Sequence, residues 1–387
     1  KFARTGDYLQ RFVPLISRQD CHLSRIIAKS SSILLLLTLW GCAERNAPST
    51  GLETSESNPI AKTDIAMGMD TITVPEDCSP ASDASTIAVG LLPYVPGPDP
   101  ELFDCTAPEP VAGPRNWVDL SCWLAPSCDK KMIVGHRGTG GNLGTIAPEN
   151  SLQAIRAAIV MGLDAVEIDV RHTLDEKLVV LHDGSVDRTT DFEGEASELN
   201  FAELTTMPLL PPKHPMLKGD FACSRIPSLE AAFDLTRDRI AVILDTKTHR
   251  IDLVAKAITD AELQDQVFIS VSDANKAVEA RQISPNLRVQ IRPDNLQELE
   301  EMLLLFEHPP EIVEIPPEQV ILIQEDIKAI KAKVFTDVWV QDAMAIAGDE
   351  GAGYLKLFDD GAHILQTEYP TQVLKALNRW SFDAQCP

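Results

Sequence analysis

Side chains that can move protons or balance negative charge follow several short apolar runs in the middle of the chain. In chain order they are His136, Arg137, Glu167, Asp169, His182, Asp245 and Lys247. Imidazole titrates near neutral pH and can both donate and accept a proton. Arginine, lysine or a bound metal ion can neutralise charge that develops on a substrate. Together these residue types indicate acid–base chemistry on an anionic substrate.

Glu167 and Asp169 are two residues apart in a run that reads as a β-strand. Because side chains alternate along a strand, both carboxylates project on the same side. Two carboxylates held that close are costly unless something positive lies between them. A hard divalent cation, Mg²⁺ or Ca²⁺, meets that need, and Asp245 offers a third carboxylate. A solvated strand edge is the alternative interpretation of the pair.

From residue 131 onward, β-branched apolar runs alternate with amphipathic stretches. The predicted strands are 132–135, 165–170, 178–181, 240–244, 267–271, 287–291, 312–315, 333–340 and 362–365. Repeated strand-then-helix order over about 250 residues predicts a parallel (β/α)₈ TIM barrel, with an open doubly wound sheet as the alternative. The nine predicted strands are one more than the eight of such a barrel. The link from Val170 to Leu178 is too short for a parallel crossover, so one run is a hairpin partner or lies outside the barrel.

Several short strings then occur in a fixed order. They are His136-Arg137-Gly138, Pro148-Glu149-Asn150-Ser151, Val166-Glu167-Ile168-Asp169-Val170, Val179-Val180-Leu181-His182-Asp183 and Arg188-Thr189-Thr190. In this order and spacing, residues 131–380 resemble the glycerophosphodiester phosphodiesterase family. The resemblance implies a somewhat distorted TIM barrel over 131–387, with a small insertion at 184–239 between the third and fourth strands.

The resemblance also implies a role for each matching residue. His136 and His182 would be the acid–base pair, and Glu167, Asp169 and Asp245 would hold one divalent cation. Arg137 and Lys247 would bind phosphate, Trp339 would line the glycerol side, and Glu149 and Asn150 would support the site. By resemblance, the glycerol hydroxyl next to the phosphate attacks first, and water then opens the cyclic phosphate. The products would be glycerol 3-phosphate and an alcohol.

Two departures from the family pattern keep other functions open. Asp245 stands where glutamate is commoner and resembles the Asp-x-Lys of sphingomyelinase D, and Glu368 replaces a closing aspartate. A phospholipase D-like or C-like activity on lysolipids or sphingolipids is therefore the first alternative. A non-catalytic, lipid-anchored binding protein is an alternative of another class.

The N-terminal region reads as an export signal. Residues 1–42 are basic, contain a short apolar run at 33–39, and end at Cys42 in a string that resembles a bacterial lipobox. We expect a lipoprotein signal peptide at 1–42, lipidation at Cys42 and a flexible tether at 43–75, followed by a Cys- and Pro-bearing segment at 76–130. The predicted location is the bacterial cell envelope, with the lipid anchor as the membrane contact.

Charge and cysteine usage limit the partners and the compartment. The formal net charge of −24 argues against nucleic-acid binding. Six cysteines follow Cys42, and an even number in an exported chain favours disulfides. They are Cys78, Cys105, Cys122, Cys128, Cys223 and Cys386. Cys122 with Cys128 is the first predicted pair. A zinc site and free thiols are the alternatives.

Overall fold

Nine strands form one sheet, and eight of them close into a barrel. In this computed structural model they are β1 Met132–Gly135, β2 Ala165–His172, β3 Leu178–Val180, β4 Ala241–Thr246, β5 Val267–Val271, β6 Arg288–Ile291, β7 Ile312–Glu314, β8 Lys333–Asp337 and β9 Ile364–Thr367. The strand order is β1-β9-β8-β7-β6-β5-β4-β2, all parallel, and β2 pairs back with β1 to complete the circle. The predicted TIM barrel is confirmed.

The ninth strand is a hairpin partner, as the short link after Val170 requires. β3 pairs antiparallel with the end of β2, where Val170 lies opposite Val180. β3 therefore extends the sheet beyond the barrel and is not one of the eight barrel strands.

The structure describes residues 97–109, 118–139, 141, 146–211 and 218–382. All of them fall within one unit, Asp77–Pro387. The predicted signal peptide, Cys42, the tether, Cys78 and Cys386 lie outside the described residues. Among the helices that are described, none is long and apolar enough to cross a membrane.

Helices follow most of the strands. They are α1 Leu120–Leu124, α2 Leu152–Met161, α3 Phe201–Leu204, α4 Leu229–Thr236, α5 Ile251–Asp260, α6 Ala274–Ile283, α7 Leu296–Leu303, α8 Val320–Ala329, α9 Trp339–Met344, α10 Ala352–Asp359 and α11 Pro370–Ala376. The Ser151 hydroxyl caps α2 by accepting from the Ala154 amide at 3.0 Å, and Ser228 caps α4 in the same way. Such caps satisfy amides that the first helical turn leaves unpaired.

The segment that precedes β1 covers the N-terminal end of the barrel. Trp123 of α1 is 1% exposed, and its ring centroid lies 5.6 Å from that of Phe268 inside the barrel. It packs on the first inward-facing layer of the strands, which includes Met132 and Ala165. With one end filled by apolar side chains, the polar residues at the C-terminal strand ends face the other end.

Two disulfides join described residues. The predicted Cys122–Cys128 pair is present and closes the loop after α1. Cys105–Cys223 was not predicted, and it ties the segment before the barrel to the 184–239 region. Within that region, α4 packs on α2 and β3 directly before β4, where a regular barrel helix belongs.

Strand β8 is shorter than the sequence pattern suggests. The apolar run 333–340 predicts one strand, but β8 ends at Asp337 and Trp339 begins α9. Aromatic and β-branched residues favour a strand locally, yet the chain must turn at the rim of the barrel to start the next helix.

Candidate active site

The turn after β1 places Arg137 in a conformation that few non-glycine residues adopt. Its φ is 47°, and its backbone amide donates to the Glu167 carboxylate at 2.8 Å. Gly138 follows with φ 93°, and a Cβ there would lie 2.6 Å from the Cβ of Ala154. The glycine is therefore required for the turn to pack against α2. Strain of this kind is common where a fold holds functional groups.

Three buried carboxylates meet at the C-terminal end of the barrel. Glu167, Asp169 and Asp245 each offer an oxygen, and these oxygens lie within 4.8 Å of one another. Asn150 fixes Asp169, since its side-chain amide donates to the carboxylate at 2.8 Å and its carbonyl accepts from the Asp169 amide at 3.1 Å. The sequence prediction that these three side chains converge agrees with this geometry.

Glu167 is the least satisfied carboxyl group of this cluster. Burial, reinforced by the nearby charge of Asp169, raises the pKa of Glu167 to about 8. Its Oε1 is buried and has no hydrogen-bond partner among the described residues. A hard cation with oxygen ligands would relieve both conditions, so the carboxylates fit Mg²⁺ or Ca²⁺.

Asp245 is held by two cations of the chain itself. Arg292, just after β6, donates to its two oxygens at 3.0 and 2.8 Å, and Lys247 donates at 2.7 Å. The pKa of Asp245 is lowered because these cations outweigh the effect of burial. Lys247 also lies 3.6 Å from Asp169, and a quarter of its side chain is exposed. Its ammonium can therefore reach an anion placed at the barrel mouth.

His136 lies between two carboxylates. Its Nδ1 hydrogen-bonds the Glu368 carboxylate after β9, and its Nε2 lies 3.8 Å from Glu167. Burial lowers the pKa of His136, but the hydrogen bond to Glu368 and the charge of Glu167 outweigh it and raise the pKa to about 9. In this arrangement His136 is an imidazolium at neutral pH.

His182, in the loop after β3, is oriented by its chain neighbour. Its Nδ1 lies 2.6 Å from the Asp183 carboxylate, which also accepts from Arg188 at 2.5 Å. Burial raises the pKa of Asp183, but Arg188 and His182 together lower it to about 2, so the carboxylate is ionised. In a neutral imidazole, one ring nitrogen carries the hydrogen and the other accepts. When Nδ1–H donates to a carboxylate, Nε2 is therefore the acceptor.

Glu149 links Arg137, after β1, to Arg188, in the region after β3. It accepts from Arg137 at 2.8 Å and from two nitrogens of Arg188 at 2.7 and 2.8 Å. Arg137 in turn lies 3.6 Å from Asp169. Glu149 therefore contacts the predicted phosphate ligand Arg137, and Asn150 contacts the predicted metal ligand Asp169.

Trp339 stands apart from the carboxylates. It begins α9 at the rim after β8, and it is 55% exposed. β8 is four strands from β4 in the eight-strand circle, so Trp339 and Lys247 lie on opposite sides of the mouth. Its predicted role toward glycerol stays a prediction.

Sequence reasoning missed the roles of four residues. Arg292, Glu368, Asp183 and Arg188 hold Asp245, His136 and His182 in place. Asp183 and Arg188 belong to the quoted strings, so their charge next to a histidine was an available signal. The signal for Arg292 was weaker, because the sequence shows only one cationic residue directly after an apolar strand.

Comparison with known proteins identifies relatives of this site. Residues 136–340, more than half of the chain, match the model of the glycerophosphoryl diester phosphodiesterase family. A glycerophosphodiester phosphodiesterase of Caldanaerobacter subterraneus subsp. tengcongensis is 30% identical over 168 residues, covering 41% of this chain and 65% of the relative. The mouse glycerophosphodiester phosphodiesterase 1 is 36% identical over 131 residues, covering 34% and 38%. The chain therefore spans less than two thirds of either relative. A mouse lysophospholipase D is 26% identical over 282 residues, covering 64% of this chain and 86% of the relative.

Solved structures share the fold. A glycerophosphoryl diester phosphodiesterase from Parabacteroides distasonis has a TM-score of 0.56 at 23% identity, covering 68% of this chain and 93% of its own. An Oleispira antarctica phosphodiesterase in complex with the product sn-glycerol-3-phosphate has a TM-score of 0.53 at 23% identity, covering 64% and 97%. Both support the barrel described above.

Proposed function

The chain belongs to the glycerophosphoryl diester phosphodiesterase family, and from that premise we propose that it hydrolyses glycerophosphodiesters to glycerol 3-phosphate and an alcohol. One observation carries the proposal. Two histidines, each hydrogen-bonded to its own carboxylate, accompany a buried cluster of three carboxylates at one end of the barrel.

The two histidines differ in their surroundings, since His136 is buried between Glu368 and Glu167, whereas about a third of the His182 side chain is exposed beside Asp183. His182 donates a hydrogen bond from Nδ1–H to Asp183. Its Nε2 then faces the substrate and can remove a proton from the attacking glycerol hydroxyl. His136, kept protonated beside Glu368, donates a proton to the departing alcohol oxygen. The cyclic phosphate formed in this step is then opened by water.

Glu167, Asp169 and Asp245 would hold one divalent cation, Mg²⁺ or Ca²⁺. When bound, such an ion supplies charge neutralisation at the phosphoryl oxygens. Lys247 adds a cation beside the same cluster, and Arg137 holds Glu167 through its backbone amide. Asn150 keeps Asp169 in one orientation.

The test is an assay of the full chain with glycerophosphocholine and Mg²⁺ or Ca²⁺, in which glycerol 3-phosphate and choline are quantified. We expect glycerol 3-phosphate that is lost with EDTA and falls by roughly 10²–10⁴-fold in His136→Ala and in His182→Ala. His308→Ala, at an exposed histidine in the segment before β7, is the matched control. Activity that survives EDTA and both substitutions contradicts the proposal.

A second candidate function is lysophospholipase D-like cleavage of lysolipids. The mouse relative supports it, and so do the exposed apolar residues Trp339, Val340 and Met344 of α9 at the rim. Choline released from lysophosphatidylcholine but not from glycerophosphocholine would favour this candidate. No turnover of either substrate would favour a non-catalytic binding protein.

We also propose that the chain is exported to the bacterial cell envelope and lipidated at Cys42. The basic, then apolar, sequence ending at this cysteine supports the proposal. Metabolic labelling with radioactive palmitate should mark the wild-type chain and not the Cys42→Ser variant. Equal labelling of both would contradict it.

A further inference from the structure

A buried carboxylate that takes no part in the proposed proton transfers lies on α9. Asp342 follows Trp339 by three residues, and it is 2% exposed. An ionised carboxylate can only accept hydrogen bonds, and burying one without donors is costly. The groups that donate to Asp342 therefore show what this side chain holds in place.

Three donors from other parts of the chain converge on Asp342. Its Oδ1 accepts from the hydroxyls of Tyr354 and Thr367, both at 2.6 Å. Its Oδ2 accepts from the backbone amide of Glu368 at 2.7 Å. Tyr354 of α10 and Thr367 of β9 are fully buried. Asp342 thus joins α9 and α10 to the chain segment that follows β9.

Glu368 lies just beyond the part of the sheet that holds its strand. The pairing of β1 with β9 ends at Gly135 and Thr367. The His136 amide then donates to the Thr367 carbonyl at 3.2 Å, and Glu368 is the next residue along the chain. The amide of Glu368 is therefore held by Asp342 and not by a neighbouring strand.

The Glu368 side chain depends on the position of its backbone. Its Oε1 hydrogen-bonds His136 Nδ1, whereas its Oε2 is buried and has no hydrogen-bond partner among the described residues. The space around this contact is tight, because a Cβ at Gly141 would overlap both the Glu368 carboxylate and His136 Nδ1. A small shift of the Glu368 backbone would therefore move the carboxylate away from His136.

From these contacts we propose that Asp342 is a positioning residue, which fixes the Glu368 backbone and thereby the hydrogen bond between Glu368 and His136. The proposal rests on the proposed phosphodiesterase function, in which His136 gives a proton to the departing alcohol. The hydrogen bonds of Asp342 reach neither histidine of the site, so it acts through Glu368. Groups that are held in place before a reaction need no reorganisation during it.

Kinetics of the full chain with glycerophosphocholine test the proposal first. Asp342→Ala removes every acceptor. We expect kcat to fall roughly 10–100-fold and KM to stay within about twofold, since a small misplacement of a reacting group has effects of this size and substrate binding is untouched.

Asp342→Asn keeps the shape and should rescue the activity. Its carbonyl can accept from the Glu368 amide while its amide group donates to the two hydroxyls, which can also accept. Burial already raises the pKa of Asp342 to about 7, so the loss of its charge is a small change. We expect kcat within about threefold of wild type, less than the loss of one hydrogen bond.

Tyr354→Phe is the matched control. It removes one hydrogen bond to Asp342 but leaves the one from the Glu368 amide, so kcat should also stay within about threefold of wild type. Circular dichroism checks that each variant folds. If Asp342→Ala does not fold, Asp342→Ser, which keeps a single hydroxyl, is measured in its place with the same expectation of a lower kcat.

A double-mutant cycle separates positioning from a general loss of structure. In a Glu368→Ala background the group that Asp342 positions is absent, so Asp342→Ala should lower kcat by no more than about a further twofold. A further loss as large as that in the wild-type background would overturn the proposal. So would a wild-type kcat in Asp342→Ala, or equal losses in Asp342→Asn and Asp342→Ala.

The ring nitrogens of the histidines give a measurement that does not need activity. In protein with ¹⁵N-labelled histidine, the signals of His136 and His182 are identified by their absence in the corresponding alanine variants. Asp342→Ala should shift the His136 signals, because its hydrogen bond to Glu368 changes, and should leave those of His182 in place. Unchanged His136 signals would overturn the proposal. If the wild-type chain hydrolyses no diester, the proposed function fails, and these signals still decide whether Asp342 positions Glu368.

Discussion

The charge of Glu368 controls the protonation of His136. Replacing it with glutamine keeps the size and the hydrogen-bonding capacity of the side chain but removes the negative charge. His136 loses its proton as pH rises through its pKa of about 9. Without the Glu368 charge, proton loss occurs at lower pH. In Glu368→Gln, the alkaline limb of the kcat/KM profile should move to lower pH by roughly one unit, the effect of about 1.4 kcal/mol.

A pH–rate profile with glycerophosphocholine measures this shift. Glu301→Gln is the control, since Glu301 is exposed on α7 and its carboxylate contacts only Gln297 among the described residues. An alkaline limb at the same pH in wild type and Glu368→Gln would show that another group is the acid.

The residue that directly follows β6 contributes to the site. Arg292 fixes both oxygens of Asp245 across the barrel mouth. Arg292→Lys keeps the positive charge but loses the two-pronged geometry, so it tests orientation apart from charge. We expect activation by Mg²⁺ or Ca²⁺ to require about tenfold more metal, because partners that orient metal ligands are worth roughly 10–100-fold in affinity.

Arg288→Lys is the matched control for that substitution. Arg288 lies at the start of the same strand and pairs with Asp265 and Glu311 at the other end of the barrel. A metal-activation curve that is identical in wild type and Arg292→Lys would show that Arg292 does not orient Asp245 for metal binding.

Strand ends revealed much of the site in advance, because an apolar run followed by a charged residue is visible in one dimension. His136, Glu167, Asp169 and Asp245 were found in this way. Partners that are distant in the sequence were not, since Glu368 is 232 residues from His136 and meets it only because β9 pairs with β1. The early end of β8 was missed for a related reason, because the rim of the barrel overrides the local preference for a strand.

The two disulfides should contribute unequally to the stability of the molecule. Cys105–Cys223 spans 118 residues, whereas Cys122–Cys128 spans 6. A cross-link restricts the unfolded chain more when the loop it closes is longer. The loop-entropy relation gives about 5 kcal/mol for the long loop and about 2 kcal/mol for the short one.

Urea unfolding followed by circular dichroism measures this difference in the double variants Cys105→Ala with Cys223→Ala and Cys122→Ala with Cys128→Ala. Neither Cys105 nor Cys223 is buried, so their removal leaves no cavity and reports the cross-link itself. Cys122 is 5% exposed beside Trp123, so the short-loop variant also loses some packing. The long-loop variant should still lose more free energy of unfolding. A larger loss in the short-loop variant would show that closure of the barrel end by α1, and not chain entropy, governs the stability of the fold.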